Sequence, residues 1–228
     1  MSALEAVRSG AIKLLPQRAL WAPAAKALFV ADLHLGKAAA FRALGSPAPT
    51  GVSEETLRRL AQLIEATGPE HVVALGDFTH ARASLTPGLL ASLRGWRARW
   101  SGIAFTIVLG NHDRSAGRSY ADSGFDWAEA PAWIAGMECR HHPVEADQFS
   151  EPIALAGHIH PVARLNGPGR DSLRVSCFVV VGRQIILPAF GEFTGGSLVS
   201  PREGERLFIA TRDGVFEIGR RRDAAIDL

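Results

Sequence analysis

The stretch ALFVADLH (residues 27–34) joins a run of apolar residues to two polar side chains, Asp32 and His34. A short apolar run of this kind predicts a buried strand, and polar residues directly after it predict a site at the carboxyl end of that strand. The same arrangement returns in HVVALGD (residues 71–77), where Asp77 follows the run. We therefore predict two buried strands that each end in a carboxylate.

The residues between these strands have the pattern of a helix. Ser53 is the expected N-cap, acidic residues fill the first turn, and Gly68 marks the expected end. A strand, a helix and a strand in this order predict a parallel crossover, which brings the carboxyl ends of both strands to one edge of the sheet. Asp32 and Asp77 are then expected to lie close together.

The pattern repeats in the next part of the chain. Thr86 and Pro87 predict the start of a second helix, and a third strand over Ile103–Leu109 runs into Gly110-Asn111-His112-Asp113. Beyond Tyr120 the helical signals fade, and strands are predicted at Trp133–Arg140, Ile153–Ala156, Ser172–Val181, Gln184–Leu187, Arg206–Ala210 and Val215–Ile218. The second half is expected to be mostly β-structure.

The composition favours one globular domain over residues 1–228. The chain is 47% apolar and 21% charged, with a formal net charge of +2, which excludes a disordered chain and a histone-like polycation. The two cysteines, Cys139 and Cys177, predict neither a disulfide framework nor a zinc knuckle. No stretch reaches the roughly 18 uncharged apolar residues of a membrane span, and residues 1–10 lack a signal sequence. We therefore expect a soluble cytoplasmic protein without a membrane partner.

The run Arg220-Arg221-Arg222 is interpreted as a solvated tail rather than a DNA contact.

Five polar clusters follow apolar runs and together indicate a metal centre. They are Asp32-Leu33-His34, Gly76-Asp77, Gly110-Asn111-His112-Asp113, Arg140-His141-His142-Pro143 and Gly157-His158-Ile159-His160. The clusters are expected to lie in loops, and they hold six of the eight histidines, a concentration that core packing does not explain. Carboxylate, imidazole and amide ligands suit manganese, iron or zinc. Two divalent ions about 3.5 to 4 Å apart can act on a phosphoryl group, and Asp77 is the expected bridging ligand.

The order and identity of the clusters resemble the calcineurin-like metallophosphoesterase superfamily, with its D-x-H, G-D, G-N-H-D/E, H-x and G-H-x-H pattern, from Ala27 to Pro161. The resemblance implies a four-layer αββα sandwich of two mixed β-sheets. It places Asp32, His34, Asp77 and His160 on one metal ion, and Asp77, Asn111, His141 and His158 on the other. It also makes His112 the catalytic imidazole, and Asp113 is expected to hold its tautomer and orientation.

The adjacent histidines His141 and His142 leave one ligand to be decided. Neighbouring residues of a strand point to opposite faces, so only one of them can readily reach the metal ions. We favour His141, because the first histidine of the pair is the usual ligand in the family that the chain resembles. His142 is then expected to contact the substrate or to support the site from outside.

Longer motifs indicate one group of proteins within this superfamily. ADLHLGK (residues 31–37), GDFTHAR (76–82), LPAFG (187–191) and FTGG (193–196) are similar to the bacterial ligase-associated DNA damage response phosphoesterases. This resemblance implies a manganese-dependent DNA endonuclease or phosphodiesterase of the cytoplasm that acts in DNA repair with a DNA ligase and a helicase. DNA ends or single-stranded stretches are the expected substrates, and the oligomeric state is left open.

The sequence also offers candidate substrate contacts and two alternative functions. Lys37, Arg42, His80 and Arg82 follow metal-bearing strands and could receive phosphates, although solvation would explain them equally well. Trp96 and Trp100 are interpreted as core residues rather than base-stacking platforms, because they share one helical face with Leu89 and Leu93. One alternative function is hydrolysis of a nucleotide or nucleotide-sugar diester. Another is a recruitment subunit that binds a ligase or helicase through a C-terminal arm, residues 200–228.

Overall fold

A computed structural model describes residues 1–116, 124–145, 152–167 and 171–218. The run Arg220-Arg221-Arg222 lies outside the described residues. The chain forms two mixed β-sheets with helices, so the predicted α/β class is confirmed. The helices are α1 (Ala3–Arg8), α2 (Lys37–Ala43), α3 (Val52–Thr67), α4 (Pro87–Arg99) and α5 (Asn111–Ala116). None of the helices in these ranges is long and apolar enough to cross a membrane.

The first sheet has six strands in sequence order. They are β1 (Lys13–Leu15), β2 (Ala19–Ala22), β3 (Ala27–Val30), β4 (His71–Leu75), β5 (Ala104–Val108) and β6 (Asp126–Ala128). The first three pair antiparallel, whereas β3 to β6 pair in parallel. The parallel pairing of β3 with β4 is the predicted crossover, so the carboxyl ends of these strands lie at the same edge.

The second sheet has nine strands. They are β7 (Ala132–Ile134), β8 (Met137–Cys139), β9 (Ala154–Ala156), β10 (Pro161–Asn166), β11 (Ser172–Val181), β12 (Gln184–Ile186), β13 (Ser197–Leu198), β14 (Glu205–Thr211) and β15 (Gly214–Ile218). Their order is β13-β10-β11-β12-β9-β8-β7, with β14 paired to β11 and β15 paired to β14. Residues 205–218, within the C-terminal segment 200–228, are therefore part of this sheet.

The core has layers on both faces of the first sheet. Val73 and Leu75 of β4 face the second sheet, where they belong to one cluster with Phe178. Val72 and Ala74 face the other way and belong to a cluster with the apolar residues of α3 and α4. This alternation is the two-residue period of a strand that is buried on both faces. Trp96 and Trp100 pack against the second cluster, in agreement with their interpretation as core residues.

Three local predictions are corrected by the structure. The N-cap of α3 is Gly51, and the hydroxyl of Ser53 instead accepts a hydrogen bond from the backbone N–H of Gly36. The strand predicted over residues 133–140 is the β7–β8 hairpin, which turns at Ala135 and Gly136. Both turn residues have positive φ, of 54° and 76°, as a type I′ turn requires. The polar stretch that begins at Asn111 is helix α5 rather than a loop.

Arg59 joins α3 by hydrogen bonds to the segment that follows β12 and to the turn between β1 and β2. One Nη1 atom donates to the carbonyl of Phe190, at 3.0 Å, and to the carboxylate of Glu192, while Nη2 donates to the carbonyl of Gln17, at 3.1 Å. The guanidinium also lies 4.6 Å from the ring centroid of Phe190. Arg58, one residue earlier, is exposed and pairs only locally with Glu55, at 2.6 Å.

We therefore expect Arg59→Ala to lower the free energy of unfolding by roughly 2 kcal/mol, since two carbonyls and Glu192 lose a donor. Arg58→Ala is the matched control and is expected to leave the denaturation midpoint almost unchanged, because an exposed ion pair contributes little. Urea denaturation of both variants measures the difference. Equal midpoints would contradict the role given to Arg59.

Candidate metal centre

The site begins where β3 and β4 end. The backbone N–H of Asp32 donates to the carbonyl of Gly76 at 3.2 Å, and that of His34 donates to the carbonyl of Asp77 at 2.9 Å. The parallel pairing thus continues beyond both strands, so it places Asp32 and His34 next to Asp77. Ligand atoms of Asp32, Asp77 and His141 lie within 4.8 Å of one another, so the two carboxylates meet as the crossover predicts.

Two groups of side chains share the carboxylate of Asp77. In the first group, Nε2 of His34 lies 3.7 Å from Oδ2 of Asp77 and 3.2 Å from Nε2 of His160. The latter atom lies 3.4 Å from Oδ1 of Asp32. We call these four residues the first ligand group.

The second ligand group converges on His141. Its Nε2 lies 2.9 Å from Oδ1 of Asn111, 3.1 Å from Nδ1 of His158 and 3.4 Å from Oδ2 of Asp77. The other ring nitrogen, Nδ1, donates to the carbonyl of Leu75 at 3.1 Å. Because that hydrogen bond fixes the ring, Nε2 is the atom that faces the group.

The residues present fit divalent metal ions. Oδ1 of Asp32 is fully buried and has no hydrogen-bond partner among the described residues, although burying a carboxylate oxygen without a partner is costly. Around Nε2 of His141, an amide oxygen and a carboxylate oxygen present lone pairs, and a second imidazole nitrogen lies 3.1 Å away. A convergence of acceptors without a matching set of donors is the environment that a cation satisfies.

The backbone at the site adopts a conformation that side chains rarely accept. Asp32, His34, Asp77, His158 and His160 all have positive φ, between 46° and 72°. They are five of the eight non-glycine residues with positive φ in the described ranges. Such conformations cost roughly 1 to 3 kcal/mol each and collect at functional sites. Here they turn side chains from two sheets toward one point.

The two adjacent histidines, His141 and His142, differ in burial. His141 is 1% exposed and lies between Asp32 and Asp77, whereas His142 is exposed at the rim. The His142 ring lies 4.1 Å, between centroids, from the ring of His158. The geometry therefore favours His141 as the ligand, and it leaves His142 next to the second ligand group on the side open to solvent.

His112 lies beside the shared carboxylate. Its Nε2 is 3.9 Å from Oδ2 of Asp77, its backbone N–H donates to Oδ1 of the same residue at 2.9 Å, and its side chain is 35% exposed. Its Nδ1 donates to the carbonyl of His80 at 2.6 Å. A carbonyl only accepts, so this bond holds the tautomer with the proton on Nδ1.

The expected orienting role of Asp113 is corrected by this arrangement. The carbonyl of His80 occupies Nδ1 of His112, while Asp113 is buried in the first turn of α5. Its carboxylate accepts from the backbone N–H groups of Phe78, Thr79 and Gly110, at 3.0 to 3.3 Å. Through these bonds, Asp113 joins the loop after β4 to the loop after β5.

Comparison with known proteins identifies the family of this chain. Residues 25–167 match the calcineurin-like phosphoesterase family. The chain belongs to that family. A Pseudomonas putida nuclease, MPE, has a crystal structure that matches with 38% identity and a TM-score of 0.77, over 91% of this chain and 94% of that one. Yfce, a phosphoesterase from E. coli, matches with 15% identity and a TM-score of 0.40, over 82% and 88%. No curated protein matches the sequence.

As a calcineurin-like phosphoesterase, the chain is a hydrolase whose family binds divalent metal ions, and its electrostatics suit that chemistry. Burial alone would raise the pKa of Asp77, but the hydrogen bond and charge of His141, the backbone N–H of His112 and the charge of His34 together lower that pKa to about 2. Burial alone would lower the pKa of His141, yet the hydrogen bond and charge of Asp77, the charge of Asp32 and the bond to the carbonyl of Leu75 together raise it. The negative surroundings that favour a proton on His141 also favour a metal cation.

The expected substrate contacts lie in different environments. Nζ of Lys37 donates to the carbonyl of Thr194 at 3.1 Å, and burial lowers the pKa of Lys37 although Asp77 opposes the shift. Arg42 donates to the carbonyls of Ala48 and Pro49 instead of facing the metal centre. Arg82 is exposed in a short 3-10 helix.

His80 lies next to His112. Its ring stacks on the ring of His112, with centroids 4.7 Å apart and an interplanar angle of 26°. Burial, His112 and Lys37 together lower the pKa of His80 to about 4. Sequence reasoning missed the carbonyls of Leu75 and His80, because a backbone group has no signature in the sequence.

Proposed function

We propose that this phosphoesterase hydrolyses phosphodiester bonds of DNA with two divalent metal ions. One observation carries the proposal. Oδ2 of Asp77 lies 3.7 Å from Nε2 of His34, in the first ligand group, and 3.4 Å from Nε2 of His141, in the second ligand group. A carboxylate shared between two groups is the arrangement that holds two metal ions close together.

The proposed ligands follow from these distances and from the motif pattern. Asp32, His34, Asp77 and His160 would hold one ion, and Asp77, Asn111, His141 and His158 would hold the other. We propose manganese as the metal, with iron and zinc as the other ions that suit this ligand set. When bound, two such ions supply Lewis-acid stabilisation of the charge that develops on the phosphoryl oxygens.

His112 is the proposed catalytic residue of the chain. The carbonyl of His80 holds the proton on Nδ1, so Nε2 is left to exchange a proton with the substrate. That atom lies on the open side of Asp77, on a side chain that is 35% exposed, where a phosphate group can approach. Protonated His112 would donate its Nε2 proton to the leaving oxygen of the ester.

The DNA substrate is supported by the nuclease from Pseudomonas putida, which shares 38% identity over nearly the whole chain. The motif resemblance further suggests a cytoplasmic repair enzyme that works with a DNA ligase and a helicase. We propose this setting together with a single catalytic domain over residues 1–228. Residues 205–218, which belong to the C-terminal segment considered for partner recruitment, form strands of the second sheet.

The test is manganese-dependent hydrolysis of bis-p-nitrophenyl phosphate, labelled single-stranded DNA and labelled duplex DNA by the wild type and by Asp77→Ala. We expect the wild type to cleave the diester and DNA, and the variant to lose both activities because both ligand groups lose their common residue. Cleavage of the small diester alone would replace DNA with a nucleotide-type substrate. Full activity of folded Asp77→Ala would overturn the two-metal proposal.

A further inference from the structure

We propose that Phe41 and Phe193 form a stacking shelf for a nucleobase adjacent to the scissile phosphate of single-stranded DNA. This inference rests on the proposed DNA substrate and assigns the residues that would select single strands. The two rings contact each other at 5.7 Å between centroids, with an interplanar angle of 90°. We call this pair the aromatic shelf.

The aromatic shelf continues directly into the catalytic site. Phe41 lies 6.2 Å from His80, at an interplanar angle of 44°, and His80 stacks on His112 at 4.7 Å. Four rings therefore form a row from the surface to the proposed catalytic imidazole. A nucleotide whose phosphate meets His112 would place its neighbouring sugar and base near this row. Because the aromatic shelf lies this close to His112, the ligand that it binds is expected to be part of the substrate rather than a separate protein.

Core packing does not explain the shelf. Phe41 is 37% exposed, and Phe193 is partly exposed. The three hydrophobic clusters that the described residues form include neither ring. An aromatic face at the rim of a polar site offers a nucleobase a stacking surface, which contributes about 1 to 3 kcal/mol per base and accepts any base.

The segment that carries Phe193 is held rigidly. Glu192 pairs with Arg59 and, at 2.6 Å, with Arg18. On the other side of Phe193, the carbonyl of Thr194 accepts from Nζ of Lys37 at 3.1 Å. Fixing the shelf in advance reduces the entropy lost when a base binds to it.

Helix α2 combines the shelf with a positive charge. Lys37 and Phe41 are four residues apart, so they lie on the same face of this helix. A positive charge beside an aromatic surface is the combination that proteins use to bind the backbone and the bases of single strands. Bases of a duplex are already stacked and paired, so they are not available to the shelf. Single-stranded DNA is therefore the substrate that fits.

The experiment compares Phe41→Leu and Phe193→Leu with Phe216→Leu, which makes the same change at an exposed phenylalanine of β15. The substrates are a single-stranded oligothymidylate and a chain of the same length with abasic tetrahydrofuran residues. We expect each shelf variant to raise KM for oligothymidylate roughly tenfold to a hundredfold, with kcat nearly unchanged. Phe216→Leu is expected to match the wild type, and Phe41→Trp is expected to keep a low KM because it keeps a ring.

On the abasic chain, the wild type and the shelf variants are expected to have the same KM, since no base is present to stack. An unchanged KM of both leucine variants on oligothymidylate would overturn the shelf. An equal rise on the abasic chain would assign the rings to the backbone and would overturn it too. If the metal-loaded wild type hydrolyses bis-p-nitrophenyl phosphate but no DNA, the DNA proposal fails together with the shelf.

Discussion

Gly76→Ala is expected to lose most of its bound metal and to reduce turnover at least about a hundredfold. A Cβ on Gly76 would lie 2.7 Å from the Cβ of His141 and closer still to its ring. Because the hydrogen bond to the carbonyl of Leu75 already fixes the ring, the new methyl group must displace His141 from the second ligand group. The measurements are metal content by atomic emission and manganese-dependent hydrolysis of bis-p-nitrophenyl phosphate.

Gly136→Ala is the matched control for this prediction. Gly136 has φ of 76° and Gly76 has φ of 77°, so alanine introduces the same backbone strain at both positions. A Cβ at Gly136 meets no atom within 4 Å, because the β7–β8 turn is open to solvent. We expect Gly136→Ala to show the backbone strain alone, with normal metal content and turnover, whereas Gly76→Ala adds the clash with His141 and therefore loses metal, turnover and more stability. Equal turnover in both variants would show that His141 is not confined by Gly76.

Much of this site could be predicted because parallel strands impose a simple rule. An apolar run followed by Asp32 or Asp77 identifies a strand end, and the parallel crossover brings two such ends together. The apolar runs, each ended by a carboxylate, were sufficient to predict both strands. For these two strands, the local sequence pattern and the tertiary structure favour the same secondary structure.

The parts that could not be predicted depend on contacts distant in sequence. Strands β1 and β2 are short, and they are stabilised by pairing, β1 with β2 and β2 with β3, rather than by a sequence pattern of their own. Asp113 next to His112 suggested a pair of acid and imidazole, but α5 directs the carboxylate to the backbone of residues 78 and 79. The positive φ values at the strand ends are likewise set by the surrounding structure, since the sequence places ordinary aspartates and histidines there.

His112→Asn is expected to lower kcat about 10²-fold to 10⁴-fold while the bound metal stays near the wild-type amount. Asparagine cannot exchange a proton at the place of Nε2, whereas the backbone N–H that donates to Asp77 at 2.9 Å is retained. The ligand groups therefore keep their bridging carboxylate in position. His71→Asn makes the same substitution at a half-buried histidine whose Nε2 contacts Oγ1 of Thr106 at 2.8 Å, at the far end of β4. It is expected to leave kcat unchanged.

Metal content decides between two roles for His112. Ring nitrogens of His34, His80 and His112 lie within 4.8 Å of one another, so this trio could itself hold a metal ion. If His112 were a ligand, His112→Asn would lose metal and activity together, and added manganese would restore part of the activity. If His112 transfers a proton, saturating manganese restores nothing, because the ions are already bound and the missing group is an acid. The hydrogen bond from Nδ1 of His112 to the carbonyl of His80 favours the second result, since it directs the remaining nitrogen toward Asp77 and the open side of the site.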